Sequence, residues 1–176
     1  RYGVQVEEDL SLLVMGTVVQ AAAGCLCSEN VLLDSVMSHL SLRENEAILL
    51  DTQAGVEHFG RAIAEGFSQC LVVTDTSFNA LAVARHAAEL ARQAGIARIN
   101  LVVNRRKEEC GRKLGELLEL TGTDLSLLFD EVYSLPLEPR FEELEPNVTR
   151  ILGEESDYTS KLNTLADEML AFEAGL

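Results

Sequence analysis

Positive charge is what this sequence most lacks. Its 176 residues carry 14 Lys and Arg against 29 Asp and Glu, a formal net charge of -15. A chain so acidic has no field that would draw in nucleic acid or an anionic membrane, and neither is expected as a partner. The one basic run, Arg105, Arg106 and Lys107, reads as a solvated helix start. Long apolar runs are missing too. The most apolar stretch, Leu10 to Gly24, contains Ser11, Thr17 and Gln20 and is too short to cross a bilayer. No signal peptide is visible. The four cysteines, Cys25, Cys27, Cys70 and Cys110, are too few for a secreted disulfide scaffold, so a reducing cytoplasm is the expected setting.

Catalytic signatures are equally sparse. No G-x-x-x-x-G-K-[ST] segment occurs, and nucleotide hydrolysis of the P-loop type needs that loop and its Lys to hold the phosphates. There is no Ser/His/Asp set and no HExxH pattern. His39 and His86 fall on expected helices, and His58 falls in the loop after Asp51.

What remains is a regular alternation of strands and helices in a chain of single-domain size. Strands are predicted over Leu10 to Val19, Ala47 to Asp51, Cys70 to Asp75, Ile99 to Asn104 and Val132 to Pro136. Helices are predicted from Glu29 to about Leu40, briefly through Arg61 to Glu65, and over Phe78 to Ala94, Lys107 to Leu120 and Asp157 to Glu173. The spacing puts Leu81, Ala84, Ala87, Leu90, Ala91 and Ala94 on the buried face of the third, with Gly95 ending it. In the last helix Tyr158, Leu162, Leu165, Ala166, Met169 and Leu170 are expected to face inward. Strands that are apolar throughout point to a mostly parallel sheet covered by helices on both faces, an α/β fold.

In open α/β sheets ligands bind beyond the carboxyl ends of the strands. Three apolar strands end on Asp51, Asp75 and Asn104, which would line one rim; alternatively they only mark where strands leave the core. An Asp at such a position can reach Mg2+, and Gly55 four residues after Asp51 can offer its N–H to a phosphate. An Asn amide can pair with N6 and N7 of adenine, which fits Asn104.

Cys25 and Cys27 bracket Leu26 in a loop after Gly24. Thiolates hold zinc and similar ions, and two per chain fill half a tetrahedral site. A two-fold axis through the metal would supply the other half from a second copy. The alternative is a pair of small buried apolar residues. Cys70 and Cys110 read as core.

The runs LLVMG, AGCLCSENVLLDSVMSHL, AILLDTQAGVEHFGR, CLVVTDTSFNALAVARHAAELARQAGI, LVVNR and SLPLEPR, taken in order, resemble the CooC-type ATPases over nearly the whole chain. These are MinD/ParA-type P-loop proteins that help insert nickel into carbon monoxide dehydrogenase. The resemblance implies a P-loop NTPase-like fold and a homodimer that binds ATP with Mg2+. It also implies Zn2+ or Ni2+ at Cys25 and Cys27, shared between two copies. It puts Asp51 and Gly55 in a switch near the γ-phosphate. Asn104 would contact adenine, with Leu135 and Pro136 close by. Two departures stand out. The family's N-terminal strand and P-loop are absent from the sequence, so it looks like the C-terminal portion of such a protein or a degenerate relative, and Gln53 stands where an acidic residue is expected. A non-catalytic metal-binding or dimerisation module is a second reading, and a MinD/ParA-like positioning protein a third. The Cys-x-Cys loop argues against the third.

Overall fold

The computed structural model describes residues 3–14, 35, 46–52, 55–56, 66–106 and 127–175. The chain divides into two compact units, Arg1–Leu49 and Leu50–Leu176.

In the first unit, β1 (Val4–Gln5) and β2 (Ser11–Leu12) form an antiparallel hairpin with Val4 opposite Leu12. The Val6 N–H donates to the Leu10 carbonyl at 2.8 Å and closes it. The strand expected over Leu10 to Val19 is therefore two residues long among those described. Residues 13 and 14 have left the ladder, and 15–19 lie outside the described residues. A ladder lasts only as long as its partner, and β1 is two residues long.

In the second unit β3 (Gln69–Thr74), β4 (Arg98–Arg106) and β5 (Glu131–Pro136) form a parallel sheet in the order β3-β4-β5. Val72 pairs with Leu101, and Leu101 with Val132. Among the described residues, α1 (Phe78–Gln93) follows β3, and α2 (Arg140–Leu144) and α3 (Asp157–Ala174) come after β5, with a 3-10 turn over Val148–Gly153 between the last two.

Alternation along β4 sends its side chains to two cores. Ile99, Leu101 and Val103 pack under α1 with Val72, Ala84, Ala87, Ala88 and Ala91. Val102 points the other way, to Leu135 and to Tyr158 and Leu165 of α3. A central strand buried on both faces reads as largely apolar, and from Ile99 to Val103 this one does except at Asn100, which is buried as well.

The α1 helix starts where the Ser77 hydroxyl accepts the Ala80 N–H, and the chain turns off it at Gly95, whose φ of 85° suits a residue without Cβ. Its buried stripe is Leu81, Ala84, Ala87, Ala88 and Ala91. Leu90 and Ala94, expected inside, are half-buried at its margin.

Two expectations need correction. Ala47 to Asp51 was expected to form a strand, but residues 46–52 carry no strand, and Leu49 is 82% exposed. Apolar residues make a segment fit for burial; pairing makes it a strand, and no described strand pairs with it. On α3, Ala166 and Leu170 were expected to face inward and are exposed, because the helix meets the sheet only along a narrow stripe. The predicted helices over Glu29 to Leu40, Arg61 to Glu65 and Lys107 to Leu120 lie almost wholly outside the described residues.

Candidate functional site

The carboxyl ends of β3 and β4 lie side by side, since Thr74 pairs with Val103. Asp75 follows Thr74 directly, and Asn104 follows Val103. The two residues therefore take equivalent places at one rim, as expected of strand-end polar groups in a parallel sheet.

Asp75 is exposed, and its Oδ1 accepts the Ser77 N–H at 2.7 Å. Hydrogen bonding from the Ser77 hydroxyl, then from its backbone N–H, with a smaller contribution from the Arg105 guanidinium, holds its carboxyl below the usual carboxylate range. Asp75 thus fixes the turn into α1 and keeps a negative charge beside Arg105.

Asn104 is not the end of its strand. β4 continues to Arg106, and the register slips: Val103 pairs with Ser134, but Arg106 pairs with Pro136. Three steps on β4 match two on β5, so β4 bulges by one residue at Asn104 and Arg105. Arg105 takes the left-handed conformation, φ 56°, uncommon outside glycine. The Asn104 Oδ1 accepts the Arg105 N–H at 2.9 Å and supports the bend. The next residue, Arg106, donates to the Ser134 hydroxyl at 3.3 Å. The sequence reading missed this bulge, because no Gly or Asn occupies the left-handed position.

Leu135 is 4% exposed and belongs to the core under α3, while Pro136 is half-buried at the end of β5. Asp51 and Gly55 are both exposed, and Gly55 has a φ of 121°, a conformation open to glycine. Asp51 does not follow a described strand, so it is not placed beside Asp75 and Asn104 by the sheet.

Cys25 and Cys27 lie outside the described residues. Among the described residues no cluster of three His, Cys, Asp or Glu side chains could hold a metal. No described helix is long and apolar enough to cross a membrane. Cys70 is a free thiol at the second position of β3, half-buried against the α1-side core, and burial pushes it up to about 11. It is a protonated packing residue at neutral pH, as its sequence position suggested.

The three-stranded parallel sheet with flanking helices is consistent with an α/β P-loop NTPase-like fold. The chain is similar to ATP-binding proteins. An uncharacterised ATP-binding protein of Methanocaldococcus jannaschii is 33% identical over 111 residues, 63% of this chain and 43% of that protein. The carbon monoxide dehydrogenase accessory protein CooC of Rhodospirillum rubrum is 35% identical over 96 residues, 54% of this chain and 36% of that protein. A second uncharacterised ATP-binding protein of M. jannaschii is 29% identical over 103 residues, 58% of this chain and 41% of its own length. The matches thus span less than half the length of these relatives. No family model matches the chain. No solved structure matches it either.

Proposed function

We propose that this chain is part of a nucleotide-dependent accessory protein that serves carbon monoxide dehydrogenase, handling nickel for that enzyme in the cytoplasm. The observation that carries the reading is the 35% identity to the accessory protein CooC, supported by matches to two further ATP-binding proteins. In this reading the chain is the C-terminal portion of a MinD-like ATPase and works as a homodimer. Asp51 and Gly55 belong to the switch that senses the terminal phosphate of Mg2+-bound ATP. Asn104 meets the adenine, with Leu135 and Pro136 behind it. Cys25 and Cys27 hold one Zn2+ or Ni2+ jointly with the same pair from a second copy, because two thiolates leave a tetrahedral ion half-coordinated.

The strand-end polar groups fit a nucleotide. Asn104 supplies an amide, and Arg105 puts a guanidinium beside Asp75. The test is sedimentation and metal analysis of the chain loaded with Zn2+ or Ni2+. One metal per two chains, with metal and dimer lost together in Cys25→Ser and in Cys27→Ser, is the expected result. One metal per monomer, or a dimer indifferent to both substitutions and to chelator, refutes the bridged site. Thiolate ligation releases protons, so binding should tighten as pH rises toward about 8.5, the ordinary cysteine range. The client is tested separately. Nickel-loaded chain should activate nickel-free carbon monoxide dehydrogenase more than free Ni2+ does at equal concentration, and equal activation would remove that client from the proposal.

A further inference from the structure

Asn100 is the third residue of β4 and is fully buried, and neither its Oδ1 nor its Nδ2 has a hydrogen-bond partner. Few native side chains are left so, because a buried amide without a partner has given up its water and gained nothing in return. Its place in the strand identifies what lies over it. Ile99 and Leu101 point to α1, so Asn100 points to the opposite face with Val102, toward α3. Its neighbour on that face, Arg98, lies 5.0 Å from the Phe172 ring of α3, and Val102 shares a core with Leu165. Asn100 therefore lies under the stretch of α3 between Leu165 and Phe172. Gln69, diagonal to it on β3, has a second buried and unpartnered atom, Oε1.

The helix above is fastened differently in its two halves. Its buried residues, Tyr158, Thr159 and Leu165, all lie in the first half. That half also carries the capping box of Ser156 and Thr159, the Thr159 hydroxyl donating to the Glu154 carbonyl at 2.9 Å, and an edge-on ring contact between Tyr158 and Phe141. From 166 to 173 no side chain is buried. Its apolar contacts are the half-buried Met169, packed against the core, and Phe172 beside Arg98; the rest of its hold is polar and lies at the rim: Tyr133 to Glu168, Ser68 to Glu173, and Gln69 to the Met169 carbonyl at 3.0 Å and to Glu173 at 2.7 Å. Water competes for every one of these polar groups. It also gains three orphan atoms, two acceptors and one donor, when the helix end lifts.

We infer that the C-terminal half of α3 opens as a unit separate from its first half, admitting water to the amides of Asn100 and Gln69. Opening hydrates polar atoms that docking strands, and it gives up little apolar burial, so its free-energy cost lies well below that of global unfolding. The sheet face beneath, including Leu71 and Tyr133, becomes accessible in the open form.

Native-state hydrogen exchange of the whole chain, read by NMR at single amides, tests this. Amides of 166–173 should exchange at least about tenfold faster than those of 160–165, with a smaller dependence on denaturant. Asn100→Leu places an apolar side chain of similar length under the helix and should shrink that difference to about threefold or less. Gln69→Ala, which removes two of the rim bonds, should enlarge it. Equal protection along the whole of α3 in the unsubstituted chain overturns the inference whether or not either variant folds. A difference that persists unchanged in a folded Asn100→Leu overturns the part assigned to the buried amide.

Discussion

Cys70 and Asp75 stand at opposite ends of one strand, and the fold moves their acidities in opposite directions. Burial raises the Cys70 thiol to about 11 from an ordinary 9.0. Native chain should therefore react with iodoacetamide at Cys70 far more slowly at pH 8 than unfolded chain does, as mass spectrometry of the labelled peptide would show. The unfolded thiol ionises first as pH rises, so between about pH 9 and 11 the unfolded state binds fewer protons and stability falls. Asp75 behaves in the contrary sense. Its carboxyl is lowered by the Ser77 hydroxyl and then by the Ser77 N–H. Its stabilising effect is present above the ordinary Asp value, about 3.9, and is lost as pH falls through the folded value. Asp75→Ala should cost about 0.5–1.5 kcal/mol at pH 7 in urea denaturation and less at acid pH below that folded value. An equal cost at both pH values would mean that the charge of Asp75 contributes nothing to the turn. Arg105, one strand over, came as a surprise to sequence reasoning. Nothing in the letters N-R-R announces a bulge, whereas a Gly at the left-handed position would have.

α1 shows how an element can be legible in nearly every residue. Its stripe of small and apolar residues follows the helical period, Ser77 caps it and Gly95 follows it, so local signals and tertiary packing agree. Ala88 and Ala91 are fully buried where the helix meets β3 and β4. Ala88→Leu should destabilise the protein by about 1–3 kcal/mol through overpacking, measured as a lower urea midpoint with unchanged slope. α3 was equally legible in its bounds but not in its buried face. Helical period alone cannot say how wide a stripe the sheet will cover, and here the cover stops short of Ala166 and Leu170. Its start is set by the Ser156 and Thr159 capping box. Ser156→Ala should cost about 1 kcal/mol, and Ser156→Asp should recover most of it if the hydroxyl acts only as an acceptor for the Thr159 N–H. The segment from Ala47 to Asp51 marks the limit of such reading. Its composition is as strand-like as that of β3, yet strand state depends on a partner that the segment itself does not encode. The short α2 and the 3-10 turn after it were not anticipated, since elements of five and six residues, one with no buried residue and the other with Ile151 alone, leave almost no periodicity to find.

At the scale of the whole molecule the dominant fact is charge, and it bears on the proposed pairing of two copies. Each chain carries -15, so bringing two together at low ionic strength sets like fields against each other. A divalent cation at the axis, held by Cys25 and Cys27 from each chain, brings only +2 to four thiolates and leaves the remaining repulsion in place. That repulsion acts between exposed charges and is screened over about 8 Å at 0.15 M salt, against about 30 Å at 0.01 M. Thiolate–metal bonds are short and little affected by screening. Salt therefore acts on the pairing through the repulsion. The dimer dissociation constant should fall by about tenfold or more between 0.01 and 0.15 M NaCl, and since one metal is shared by two chains, metal retained per chain should rise with the dimer. Such a fall is the reverse of what salt does to a complex held by opposite charges. Sedimentation equilibrium with metal in slight excess, run at both ionic strengths alongside metal analysis of the same samples, gives both quantities. A dimer that weakens with salt would mean that the two copies meet through complementary charged patches rather than at an axial metal. A salt-indifferent dimer would place its interface away from the acidic surface.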